Sequence, residues 1–213
     1  MNNNLSDIEQ RVKRYWFTDG IGELMGGGLF LLLGVYFAAQ QYFGDHSLVG
    51  GILQSGFIIL VIGGAFTGRW AIHQVKARVT YPRTGYVEYR VRDKNNMRRR
   101  IFAFAVAMGV AMSGIFIARS ITVIDSMVAW TGLLVSVILL FNQGWAYGVS
   151  RFSALSAVAL ILGIVLSVSG FARGYNLGLF YGLMGITFAI SGGLTLRRYL
   201  HENPLPAEDS NER

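Results

Sequence analysis

Six stretches of this chain run for about the thickness of a lipid bilayer with almost no charge, and that limits what it can become. They fall near residues 21–43, 48–68, 101–118, 122–141, 152–172 and 175–195, and together they hold two acids, Glu23 and Asp125, and no base. At about 1.5 Å of rise per residue, a helix of roughly 20 residues spans about 30 Å of hydrocarbon; the third run is at the short end of that range. A helix on a water-soluble domain keeps a polar stripe. "IFAFAVAMGVAMSGIFIA" and "FSALSAVALILGIVLSVSGFA" have none. Only 15% of the residues are charged, against about 25% in a typical soluble domain. The reading is an all-α membrane protein, a bundle of six transmembrane helices. With no cysteine, disulfides and thiolate metal sites are excluded.

The bases set the direction of threading. Three precede the first run, ten fall in 69–100, Arg151 stands before the fifth run and three lie in the tail, 17 in all. The alternate connections hold only Arg119 and Arg173. The expected topology therefore places both termini in the cytoplasm. It divides the chain into an interfacial helix (1–20), a first transmembrane hairpin (21–68), a basic loop (69–100), a second hairpin (101–141), a turn (142–151), a third hairpin (152–196) and a disordered acidic tail (197–213). Asp7 and Glu9, with no apolar core before a small-residue cleavage site, argue against a cleavable signal at the start.

In "LSDIEQRVKRYWFTDG", Ser6 and Glu9 have capping-box spacing. Leu5, Ile8, Val12 and Trp16 share one face of the helix that follows. Such a helix lies in the interface, and the break at Thr18-Asp19-Gly20 turns the chain into the bilayer. Small residues at four-residue spacing mark contact faces where lipid removes the hydrophobic drive between helices. They are Gly22, Gly26, Gly34 and Ala38 in the first run, and Ala105, Gly109 and Ser113 in the third. The fifth has Ala159, Gly163 and Ser167; the sixth has Gly178, Gly182, Gly185, Ala189 and Gly193. A homo-oligomer face and internal packing use the same stripes.

The basic loop contains "VTYPRTGYVEYRVRD", whose β-branched and aromatic flanks around a Pro-to-Gly turn predict a small β-hairpin. Arg69, Lys76, Arg78, Arg83, Arg98, Arg99 and Arg100 are the expected contacts to anionic lipid headgroups or to a membrane-protein partner. No nucleic-acid-binding fold is complete, and nucleic acid is not expected as a partner.

Together "DGIGELMGGGLFLLLGVY" and "VTYPRTGYVEYR" resemble a loose group of uncharacterised bacterial polytopic membrane proteins with a Tyr-Pro-Arg-Thr-Gly-Tyr loop. The resemblance covers about 40 residues. It implies a bacterial inner-membrane location and no particular activity.

Ionisable groups at bilayer depth are functional suspects. Asp19 and Glu23, four residues apart, share a face at the mouth of the first run, and Asp125 begins the fourth. These three are the candidate ion or substrate groups. Against that, Asp125 has the spacing of a helix cap after Thr122, and Asp19 and Glu23 could pair with Arg14, Arg69 or another interfacial base. No pattern of a hydrolase, a nucleotide-binding loop, a haem clamp or a zinc site appears, so no catalytic residue, metal or cofactor is expected. Two classes remain: a non-enzymatic scaffold or accessory membrane component, or a small permease or channel subunit. None of the three prolines interrupts an apolar run, which favours the first.

Overall fold

The computed structural model describes residues 17–44, 47–84, 126–140, 150–169 and 175–204. Among these, all the regular structure is helical. The elements are α1 (Ile21–Phe43), α2 (Leu48–Val79), the single turn α3 (Tyr81–Thr84), α4 (Ser126–Leu139), α5 (Ser150–Ser169) and α6 (Asn176–Glu202). Helices α1, α5 and α6 are each long and apolar enough to cross a membrane, and α2, counted through its bend, makes a fourth. The interfacial helix, the third run, Asp125 and Arg98 to Arg100 lie outside the described residues.

The surface is inside out relative to a soluble protein. Val35, Ile52, Ile59, Phe66, Val168 and Leu194 are all more than 60% exposed, whereas Asp19, Glu23 and Lys76 are no more than 3% exposed. Long helices with apolar exteriors and buried charges suit hydrocarbon rather than water as solvent.

Helix α1 packs most extensively on α6. Their seam is a ladder of glycines in seven-residue steps, Gly20, Gly27 and Gly34 on one side and Gly192, Gly185 and Gly178 on the other. One index rises as the other falls, so the helices are antiparallel. A Cβ on Gly27 would lie 2.9 Å from the Gly185 carbonyl oxygen, and one on Gly34 would lie 2.8 Å from the Gly182 nitrogen. Seven residues are close to two turns, so the glycines stay on one seam as in a left-handed coil. Beside it, Phe30 stacks on Phe188 with centroids 5.3 Å apart, and Phe37 on Tyr181 at 5.2 Å. Of the four-residue stripe expected in the first run, Gly34 and Ala38 hold, since both lie against Gly178, and Gly22 and Gly26 do not. Gly22 meets nothing within 4 Å among the described residues, and Gly26 only a Phe188 ring carbon at 3.9 Å.

The pair α4–α5 is built the same way. Gly132 meets Gly163, with a Cβ on the first 2.7 Å from the Cα of the second, and Ala159 is fully buried beside them. Ser136 and Ser156 hydroxyls lie 2.7 Å apart, and Ser156 also donates to the Ser136 carbonyl at 2.9 Å. Here the expected stripe of the fifth run holds at Ala159 and Gly163. The contact order again makes the pair antiparallel, and α6 touches α1, α4 and α5.

Helix α2 is bent by 51° between Leu48–Phe57 and Ile59–Arg83. The bend follows Ser55-Gly56, where the Ser55 hydroxyl donates back to the Gly51 carbonyl at 2.9 Å. Tyr36 of α1 secures the outer arm by donating its O–H to the Leu53 carbonyl at 3.0 Å.

Two boundaries differ from expectation. Helix α2 continues past residue 68 to Val79, and α6 runs on to Glu202. The first strand of the expected β-hairpin, "ARVTY", is therefore the last turn of α2 and the start of α3. Local β-propensity loses to tertiary ties. Lys76 and Arg78 sit in the last turn, where the helix dipole favours cations. Lys76 is anchored to Asp19, and the Arg83 guanidinium donates to the Asn203 carbonyl at 2.8 Å. The other half of that hairpin lies outside the described residues.

Candidate functional site

The buried charges converge at one end of the bundle, where α1 and α5 begin and α2 and α6 finish. Gly20 starts the arrangement. It holds φ at +70°, a left-handed value that glycine adopts without strain, and a Cβ there would sit 2.5 Å from the Gly192 carbonyl oxygen. That turn folds Asp19 back over the first residue of α1, whose Ile21 N–H donates to Asp19 Oδ1 at 3.1 Å. The other oxygen, Oδ2, lies 2.9 Å from Lys76 Nζ and accepts from the Thr80 hydroxyl at 3.0 Å. The side chains of Asp19 and Lys76 are 1% and 3% exposed. A carboxylate at the N-terminus of α1 and an ammonium in the last turn of α2 are each favoured by the local helix dipole.

One turn further on, Glu23 Oε1 pairs with Arg151 Nε at 2.5 Å, an approach that lacks hydrogen-bond alignment. Glu23 Oε2 accepts from the Ser191 hydroxyl at 2.6 Å. The rest of the Arg151 fork is used too. One terminal nitrogen donates to Thr195 Oγ1 at 3.2 Å, and the other donates to the Phe17 carbonyl. Arg151 stands in the first turn of α5, where the dipole disfavours a cation. Its charge is offset by Glu23. One guanidinium thereby ties together α5, α1, α6 and the segment before α1.

Asp19 and Glu23 are brought to one site, as their spacing predicts. Their cations come from elements far along the chain, which the sequence reading left unassigned. Lys76 is not a lipid-headgroup contact: it is buried inside the bundle, and that expectation is corrected. Arg69 and Arg78 are exposed, and Arg83 is half-buried on its Asn203 contact. The residues missed were Thr80, Arg151, Ser191 and Thr195. The signal for Arg151 was there, a single base opening a run whose partner run carried an unpaired acid.

Among the described residues, no three His, Asp or Glu side chains converge as a metal site would require. A separate groove of about 530 Å³ opens between α1 and α2, lined by Gly22, Met25, Gly26 and Leu29 on one side and Gly64, Gly68, Arg69, Ile72 and His73 on the other. No family model, curated protein or solved structure matches the chain.

The hydroxyl on Glu23 gives a contained prediction. Ser191→Ala removes a hydrogen bond to a buried carboxylate, worth about 1.5–3 kcal/mol for a charged partner. Thermal unfolding in detergent should fall accordingly, whereas Thr187→Ala should leave it nearly unchanged. The Thr187 hydroxyl only bonds back to Leu183 on an exposed face.

Proposed function

We propose that the chain is a six-span protein of a bacterial inner membrane, with both termini in the cytoplasm, acting as a non-enzymatic scaffold or accessory component. The observation that carries the scaffold reading is the pairing of its buried charges. Asp19 is neutralised by Lys76 and Glu23 by Arg151, and the Thr80 and Ser191 hydroxyls each donate to one of these carboxylates. A site whose charges are paired from within the chain is a clamp holding helix ends together rather than a receptacle for cargo.

The path of the chain supports the count of spans. Helix α2 ends at the charged end of the bundle, and α4, antiparallel to α5, runs towards that same end. Between residues 84 and 126 the chain must travel to the opposite end, which is where the third apolar run falls. The excess of bases at the charged end favours the cytoplasm for that side. The bacterial location rests on the "YPRTGY" resemblance. Anionic headgroups are the proposed partners of Arg69, Arg78 and Arg98 to Arg100, with nucleic acid excluded from the reading.

Reporter fusions test the topology. Enzyme reporters active only outside the cytoplasm should be silent after Tyr86 and after Arg213, and active in the connection at Asp45-His46. An active reporter at Tyr86 removes the reading. A small permease or channel subunit is the second reading, favoured by the groove between α1 and α2 and by acids at the mouth of α1. It takes over if proteoliposomes show solute flux that collapses in Glu23→Gln or Asp125→Asn while the variant still melts as the parent does.

A further inference from the structure

The groove between α1 and α2 has a composition that the ion-pair clamp does not explain. Its floor is four glycines, and their roles differ. Gly64 makes room for Leu29, because a Cβ there would lie 2.6 Å from a Leu29 methyl. At Gly22 and Gly68 a Cβ would meet nothing within 4 Å among the described residues, and at Gly26 only a ring carbon at 3.9 Å. These three leave space that no described helix uses. Met25, Leu29 and Ile72 add apolar lining, and Arg69 and His73 add basic side chains. Arg69 is exposed and has no ion pair among the described residues, and the carboxylates of Asp19 and Glu23 are paired with Lys76 and Arg151. Trp70 is 67% exposed, as suits a ring at headgroup depth.

We infer that this groove holds one anionic phospholipid, its phosphate on Arg69 and the first part of an acyl chain along the glycine floor. The size is that of a small-ligand cleft, and basic pockets between transmembrane helices on the cytoplasmic side suit acidic headgroups. The competing occupant is the chain's own third apolar run. It fits the charge poorly: residues 94–124 contain no Asp or Glu to meet Arg69. The inference rests on the reading of the protein as multi-pass with its basic side in the cytoplasm.

The test uses the full chain in nonionic detergent, titrated with phosphatidylglycerol or phosphatidylcholine of matched chains and followed by native mass spectrometry. One phosphatidylglycerol should be retained per chain, with a preference of about fivefold per engaged base. Arg69→Gln should bring its retention down to that of phosphatidylcholine. Gly68→Leu, which fills open space, should abolish retention of both. Gly51→Leu, equally open but outside the groove, should not. Inorganic phosphate should not compete, since the acyl chain contributes to binding. Equal retention of the two lipids, or retention unchanged by Gly68→Leu, overturns the proposal. So does rapid oxidative cross-linking of Gly68→Cys with Gly109→Cys in this cysteine-free chain, because the third run would then fill the groove. If Gly68→Leu does not fold, Gly22→Leu and Arg69→Gln decide. A chain that stays soluble without detergent sinks the multi-pass reading itself, whereas an embedded chain with no lipid preference sinks only this site.

Discussion

Lys76→Met should lower stability by about 3–5 kcal/mol, the usual cost of leaving one member of a buried ion pair without its partner. For a chain of this size that is a fall in Tm on the order of 10 °C. The reason is the surroundings of Asp19. Its carboxylate is 1% exposed and, among the described residues, would keep the Thr80 hydroxyl and the Ile21 N–H. Two neutral donors do not replace a cation for a charge so far from water. The diagnostic comparison is the double variant Asp19→Asn with Lys76→Met. The amide oxygen of Asn can still accept from the Ile21 N–H while its NH2 donates to the Thr80 hydroxyl oxygen, and no net charge is left behind, so most of the loss should return. The cycle should show a coupling of about 3 kcal/mol or more, at the top of the range for residues in contact. The shift should also be nearly independent of added salt, because a pair this buried is screened little. A single variant that melts within about 2 °C of the parent, or a double variant whose losses simply add, would show that the pair does not hold α1 to α2.

That the sequence hides this pair while displaying its members has a physical cause. Spans, hairpins and the break at Asp19-Gly20 are local matters, set by runs of apolar residues and by glycine, and a reader of the chain can place them. Asp19 and Glu23 are conspicuous for the same local reason, since a carboxylate beside an apolar run has few explanations. Which base neutralises each is decided by tertiary approach. Arg151 reaches Glu23 only because α5 begins where α1 begins, and no pattern within either segment encodes that. Lys76 was concealed differently. It looks like one base among ten in a polar loop, yet the helix runs on beneath it and carries it inside. The first strand of the expected hairpin fails at the same place: residues 77–81 have strand-like composition, but the anchors at Lys76 and Arg83 hold that backbone in helical turns.

The glycine seam was legible in principle, because both series step by seven. It is obscured by Gly22, Gly26 and Gly28, which crowd the same segment without touching α6 closely. This crowding gives the second large expectation. Gly27→Val and Gly28→Val change neighbouring residues by the same atoms and with the same small gain in helix propensity, since valine is a better helix former than glycine. Their environments are opposite. A Cβ at Gly27 would lie 2.9 Å from both the Gly185 carbonyl oxygen and the Ala189 nitrogen, backbone atoms with no rotamer to yield. At Gly28 it would meet nothing within 4 Å among the described residues. Gly27→Val should therefore force α1 away from α6, stripping the stacked aromatic contacts and loosening Ser191 from Glu23. Overpacking of this kind costs about 1–3 kcal/mol when neighbours can shift, and here the backbone contact places it at or above the upper end. The expected result is a chain that melts more than about 6 °C below the parent or does not survive extraction in detergent. Gly28→Val should extract and melt like the parent or slightly better. Gly185→Val should repeat the damage from the other helix, with its Cβ 2.7 Å from the Leu31 nitrogen. Equal tolerance of Gly27→Val and Gly28→Val would mean that the two helices do not meet along this seam. The clamp, which depends on the start of α1 lying beside the last turns of α6, would then lose its frame.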